Sequence, residues 1–353
     1  MPVQIPEYIT GEFAVGTKQF SITDSSRREV LGDAVGCRKI AVRLYYPSPK
    51  SAVAGLPRAE VFSPRKLQAV AKTLRIKGIT DENILKGEFY ENAPFAQGKF
   101  PLVLFSSGYN SYIEANNFLC CELASNGNIV ASVGHAHEFA ENDYDDGSFD
   151  LFDKKINRKM YDSAFAAMLA QSRLLKAKLT DEQAAEQFDL FQKKHTPFII
   201  GRVAEWAADE LCVLAELKSR CAEHIDFSTG AAAAGHSLGG AAAYYLCLHS
   251  DEISCGINID GGIFGDYAGM TMKKPFLQIG CIQNRNVETR SMILTEAPAQ
   301  RIEFTEMAHL GFTDMKFCVP SKRLMGKMDG VEMYRRLSKC QLDFLGRFLR
   351  KQA

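Results

Sequence analysis

The sequence has 353 residues, of which 46% are hydrophobic and 24% charged, an ordinary balance for a globular protein with a large buried core. Lys plus Arg and Asp plus Glu number 42 each, and no long like-charge run occurs, so there is no basic field to draw a nucleic acid. One large domain with an insertion fits this length as well as two small domains do.

The opening Met1-Pro2-Val3-Gln4-Ile5-Pro6-Glu7 lacks a basic segment followed by an apolar one, so no secretory leader is expected. The longest weakly charged stretch, 227–250, contains His236, His249 and four glycines. It splits into strand, turn and helix patterns, so no transmembrane segment is expected. Ten cysteines include Cys120, Cys121, Cys212, Cys247, Cys255 and Cys281 in apolar surroundings, with no C-x-x-C or zinc-ligand spacing. Buried reduced thiols in a cytoplasmic protein are the expectation.

Residues 39–46 (KIAVRLYY) are rich in β-formers and stop at Pro47, which predicts a strand. Residues 48–97 are mixed, with Pro57, Pro64 and Pro94, and predict an irregular connection with a helical turn near 64–74. From Phe100 short apolar runs begin to alternate with helical spacing. The runs are 101–105, 128–133, 231–234, 255–259, 275–279 and 301–304, and the helical stretches include 113–125, 202–218 and 239–249. Short buried runs between helices predict an α/β fold with a mostly parallel central sheet and helices on both faces.

Residues 138–197 interrupt this alternation and carry no convincing strand. Residues 159–178 have helical spacing, with Tyr161, Phe165, Met168, Leu169 and Leu175 on one side. Thr180-Asp181-Glu182-Gln183 fits a capping box that opens another helix, with Phe188 and Phe191. The segment 139–200 is read as a helical insertion, a cap or lid; a helix pair packed on the sheet edge has the same spacing. A last helix near 331–348 places Leu337, Cys340, Phe344 and Phe348 on one core face.

The sharpest local signal is Gly235-His236-Ser237-Leu238-Gly239, a G-x-S-x-G nucleophile elbow. Chance alone would produce the pattern in about one chain of this length in ten. Context adds to it: a short buried run precedes the motif and a helical stretch follows. A serine on so sharp a turn stands clear of the backbone, and small residues flank it because strand and helix meet closely. The first N–H of the helix, on Leu238, is then aimed at the reacting carbonyl. A merely structural Gly-rich turn is the competing reading.

A serine hydroxyl needs a histidine to take its proton and an acid to orient that histidine. In this setting the chain order is serine, acid, histidine. Two histidines follow Ser237. His249 closes the next helix, whereas His309 lies in a loop past a predicted strand and is the candidate base. Asp260 ends the run 255–260 before Gly261-Gly262, at the carboxyl edge where α/β sheets build their sites. Asp266 is the second choice.

Taken together, GHSLGG around Ser237, GINIDGGIFG around Asp260 and HLGFTD from His309 resemble the platelet-activating-factor acetylhydrolase-like branch of the α/β-hydrolases, next to the dienelactone-hydrolase-like group. The segments 100–108 and 123–127 are similar to further motifs of that branch, although Ser107 and Asn126 stand where histidines are usual. The resemblance covers 39–48 and 95–315 and is weakest over 50–95 and 139–197. It implies one α/β-hydrolase domain over 1–353 and a serine esterase that needs no cofactor. It also implies a second oxyanion donor, the Tyr109 N–H after the Gly108 turn. Small-molecule or lipid esters are the implied substrates, with short acyl groups and, in some members, shortened phospholipid sn-2 chains. Gly108, His135, His137, His236 and Phe312 are expected to line the pocket. A metal held by His135 and His137 is disfavoured for want of a third ligand at suitable spacing. An amidase or peptidase using the same triad, and a non-catalytic binding protein on the same scaffold, are the alternatives.

Overall fold

A computed structural model describes residues 8–29, 31, 36–61, 63–73, 86–153, 155, 164–319 and 321–350. Its centre is a nine-stranded sheet. The long antiparallel pair β1 (Ala14–Arg28) and β2 (Cys37–Ser48), with the short β3 (Tyr90–Glu91), forms one end. Helix α1 (Pro64–Thr73) lies in the connection between β2 and β3. Position 74, expected to end that helix, lies outside the described residues.

Strands β4 (Leu102–Ser106) and β5 (Ile129–His135) pair in parallel and flank α2 (Asn117–Ser125). The predicted helix over 113–125 is shorter here, because the chain from Gly108 onward turns over the sheet before it winds up. Further along the chain come β8 (Ala231–His236), β9 (Ile253–Ile259), β10 (Phe276–Cys281) and β11 (Ala299–Phe304), all parallel to β4. The order is β11-β10-β9-β8-β4-β5-β2-β1-β3. The sheet is therefore mostly parallel, as the alternation of runs predicted. Strand β1 carried no such signal, since its sequence is polar and much of it faces solvent.

Alternate residues of the central strands feed two cores. Val103 and Phe105 join one with Leu119 of α2 and Leu337 and Phe344 of α7 (Gly330–Phe348). Leu102 and Leu104 join the other with Leu214 and Leu217 of α5 (Pro197–Arg220) and Leu246 of α6 (Leu238–His249). That is the period-two pattern of a strand buried on both faces. The alanines of β8 have little strand propensity of their own. Pairing with β4 and β9 and complete burial override it.

The segment 139–200 holds the small hairpin β6 (Glu141–Asp143) and β7 (Phe149–Leu151), then α3 (Ala164–Lys176), α4 (Asp181–His195) and the start of α5. The hairpin corrects the expectation of no strand; its runs are too short to show periodicity. Tyr161 lies outside the described residues, as do the side chains of Phe165 and Met168. Leu169 is exposed, and Leu174 takes the buried place in its stead. The capping box at Thr180 and Gln183 is present. Among the described residues no helix is long and apolar enough to cross a membrane.

A tight crossing lies where α6 leaves β8 over the end of β4. A Cβ on Gly239 would lie 2.0 Å from the Ser106 carbonyl oxygen. Gly239→Ala is therefore expected to destabilise the protein by about 1–3 kcal/mol through overpacking. A urea midpoint equal to wild type would show that the crossing relaxes freely.

Candidate active site

Ser237 sits between β8 and α6 at φ 56°, ψ −119°. A non-glycine residue in that region costs on the order of 1–3 kcal/mol and persists only where its surroundings enforce it. Here the Ser237 N–H donates to the Ile259 carbonyl at 2.9 Å, and glycines 235, 239 and 240 admit the close packing of β4 and β9. Ser237 Oγ lies 2.9 Å from His309 Nε2. His309 Nδ1 lies 2.7 Å from Asp260 Oδ2. The strand order explains the meeting: β8 and β9 are neighbours, so Ser237 and Asp260 leave the same sheet edge. His309 reaches them on a single helical turn, His309–Phe312, after β11.

Asp260 is buried and holds a left-handed backbone, φ 55°. Its Oδ1 accepts the Cys281 N–H at 2.6 Å, and its Oδ2 accepts from Asn284 Nδ2 at 2.8 Å. Burial pushes its pKa up, but the His309 hydrogen bond and charge, with the Cys281 donors, outweigh that and hold it below the ordinary value. Glu288, buried beside it, goes the other way. Burial, and then the Asp260 charge, raises it well above the usual carboxylate range. One carboxyl is thus ionised and its neighbour protonated, which singles out Asp260 as the charged partner of His309.

His236 Nε2 donates to the His309 carbonyl at 3.0 Å. Burial, then the nearby His309, pushes His236 down to about 3, so it stays neutral and adds no competing charge. Leu238 opens α6, so its N–H has no carbonyl partner within the helix. Gly108 lies directly over the elbow: a Cβ there would be 2.9 Å from Ser237 Cβ.

Two clefts meet at Ser237 and His309, and Tyr109 borders both. The narrower spans about 470 Å³, part of it open solvent, and is bordered by Gly108, Tyr112, His236, Leu310 and Met315. The wider spans about 950 Å³, part of it open solvent, and is bordered by Gln171, Ile199, Leu238, Phe264 and Val287.

Three expected lining residues lie elsewhere. His135 is fully buried and hydrogen-bonded to Ser106 and Asp209, since it ends a central strand with its side chain turned toward α5. His137 borders neither cleft; its backbone is tied to Asp150 and Asp153. Phe312 is core, packed edge-on against Phe304 at 5.4 Å. Its carbonyl accepts from Asn116 Nδ2 at 2.8 Å, and Asp314 accepts the Phe118 N–H at 3.0 Å. The stretch after His309 therefore anchors the loop to α2. Asp266 is exposed beside Lys193, and His249 is exposed and stacked on Tyr245. Cys281, Asn284 and Glu288 carried no sequence signal, because they become partners of Asp260 only through the β9–β10 pairing. Among the described residues no cluster of three or more His, Cys, Asp or Glu could hold a metal ion.

A family model described as platelet-activating factor acetylhydrolase, isoform II, matches residues 2–352. No curated protein matches the chain. Among solved structures it is similar to a ferulic acid esterase from Streptomyces cinnamoneus, with a TM-score of 0.74, 21% identity, and coverage of 98% of this chain and 93% of that one. At that identity the likeness establishes the α/β-hydrolase fold. The family match spans nearly the whole chain, and so this protein, a serine hydrolase of the esterase and acetylhydrolase type, belongs to the platelet-activating factor acetylhydrolase, isoform II, family.

Proposed function

We propose that the protein hydrolyses carboxylic esters through an acyl-enzyme on Ser237, with His309 as the base and Asp260 as its orienting acid. The observation that carries this reading is the unbroken chain of contacts, 2.9 Å from Ser237 Oγ to His309 Nε2 and 2.7 Å from His309 Nδ1 to Asp260 Oδ2. With Asp260 ionised, His309 carries its proton on Nδ1 and offers Nε2 as acceptor to the serine hydroxyl.

Ser237 Oγ attacks the ester carbonyl as its proton passes to His309. The carbonyl oxygen becomes an oxyanion, held by the N–H groups of Leu238 and Tyr109. A donor of this kind is worth about 3 kcal/mol of barrier. The intermediate collapses, the C–O bond to the alcohol breaks, and His309 returns the proton to the departing oxygen. Water then attacks the acyl-enzyme by the same route and releases the acid.

The substrate side of the proposal is an ester with a short acyl group, including shortened sn-2 chains such as those of platelet-activating-factor-like and oxidised phospholipids. The small volume of the narrower cleft supports the short acyl group, and the wider cleft offers room for a bulkier alcohol part. Residues 139–200 are proposed as a cap, since Gln171 and Ile199 border the wider cleft.

Ser237→Ala and His309→Ala are each expected to lower kcat/KM by about 10⁴-fold or more, and Asp260→Asn by about 10⁴-fold through the wrong tautomer. Near-wild-type hydrolysis in any of them would remove that residue from the mechanism. In a series of p-nitrophenyl esters from acetate to dodecanoate, the rate should fall as the acyl chain lengthens. A rate that rises with length, or a preference for methyl ferulate over acetates, would overturn the short-acyl assignment while keeping the esterase. Cleavage of anilides but not esters would make the enzyme an amidase.

A further inference from the structure

A second alignment of serine, histidine and aspartate lies inside the protein. Ser106 Oγ is 3.0 Å from His135 Nε2, and His135 Nδ1 is 2.8 Å from Asp209 Oδ2. All three residues are fully buried, so the group cannot handle substrate. Ser106 Oγ also lies 2.6 Å from Glu210 Oε1. Glu210 is fully buried, and its Oε2 has no hydrogen-bond partner among the described residues.

The protons in this group can be counted. Asp209 is an anion, gripped by Arg38 Nη2 and Arg27 Nη2, each at 2.7 Å. It only accepts, so the His135 proton sits on Nδ1. Burial pushes the His135 pKa down, despite the Asp209 hydrogen bond, so the ring is neutral and its Nε2 accepts. The single proton of the Ser106 hydroxyl is then committed to His135. A contact of 2.6 Å to Glu210 remains, and only a protonated Glu210 can donate it. Burial raises Glu210 to about 8, against the Ser106 hydrogen bond and with a contribution from Asp209. The protonated form therefore prevails at neutral pH.

Neighbouring charged and titratable groups include Glu29, Glu138 and Cys247. Glu29 pairs with Arg38 at 2.8 Å. Glu138, past β5, is gripped by Arg202 Nε and Nη2 at 2.8 and 2.6 Å and by Trp206 Nε1 at 2.9 Å. Cys247 of α6 feels the Glu210 charge and is itself pushed well above its ordinary value by burial.

Ser106 is the last residue of β4, and its carbonyl presses on glycines 235 and 239 of the elbow. Two residues later comes the Gly108–Tyr109 turn. The far side of that turn is held as well, because the Asn110 N–H donates to the Glu138 carbonyl at 2.8 Å. Helix α5 thus grips the turn from both ends, through Asp209 and Glu210 and through Arg202 and Trp206.

We propose that Ser106, His135, Asp209 and Glu210 are positioning residues for the Gly108–Tyr109 turn, with the Glu210 carboxyl donating to Ser106, and that loss of this donor releases the turn and slows acylation of Ser237. This rests on Ser237 as the nucleophile. Once Glu210 is ionised, one Ser106 hydroxyl faces two acceptors, and one of its two short contacts becomes repulsive. Misplacing a reacting group by about 1 Å costs about 100-fold in rate, so a small shift of β4 is enough.

The test is the rate of Ser237 inactivation by a fluorophosphonate, followed from neutral to alkaline pH, beside kcat and KM on p-nitrophenyl acetate. The wild-type rate should fall above pH of about 8. Glu210→Gln, whose amide donates to Ser106 at every pH, should keep the neutral rate and lose the alkaline fall. Ser106→Ala should lower kcat by about 10- to 100-fold with little change in KM, as expected of a displaced oxyanion donor. An alkaline fall that persists in Glu210→Gln, or a wild-type kcat in Ser106→Ala, would overturn the relay while leaving the esterase intact. Wild-type protein that is never labelled at Ser237 would overturn the nucleophile assignment, and the relay with it.

Discussion

The pairing of β4 with β8, Ser106 opposite Gly235, is the contact on which the rest of the site depends. It brings two strand ends to the same height, so that the turn after one lies on the turn after the other. The approach is too close for side chains, and Gly108, Gly235 and Gly239 are its consequence. Because β8 also pairs with β9, His236 opposite Ile259, the residue after Ile259 emerges beside the serine. One register therefore aligns Ser237, Asp260 and the turn over the elbow. A slip of one residue would send every strand-end side chain to the opposite face.

Charge is rationed around that edge. Asp260 is ionised because His309, Cys281 and Asn284 repay its burial, while Glu288 beside it is not repaid and keeps its proton. The same division recurs deeper in, where Asp209 is ionised between two arginines and Glu210 next to it is raised. In both places two carboxyls sit close together, and the one with more donors takes the charge. Low dielectric makes the choice sharp, because a second unpaired anion would be costly.

Helices α3 and α4 lie beside the wider cleft, which Gln171 borders. Phe188, Phe191 and Leu174 form a small cluster with Val287, and Phe188 lies 5.1 Å from Phe264. Gln192 exchanges two hydrogen bonds with the Gly265 backbone, at 2.8 and 2.9 Å. Helices α3 and α4 are thus docked on the loop after β9, next to the wider cleft. That loop leaves the sheet at Asp260, so the cleft wall and Asp260 share one support.

The sequence alone determined the alternation of buried runs and helices, the G-x-S-x-G turn, and the order of Ser237, Asp260 and His309 along the chain. These are local or ordinal properties: periodicity, small residues at a sharp turn and a fixed succession of residue types. It also carried the capping box at Thr180, which needs only four consecutive residues. Tertiary structure decided what depends on pairing across the sheet. It buried His135 against α5, put Phe312 in the core and gave Asp260 its donors from the end of β10. It also joined Ser106 to Asp209, more than a hundred positions away, through a histidine that the sequence suggested for the pocket. A strand end shows in sequence that it has two sides, but only its neighbours determine which side faces water.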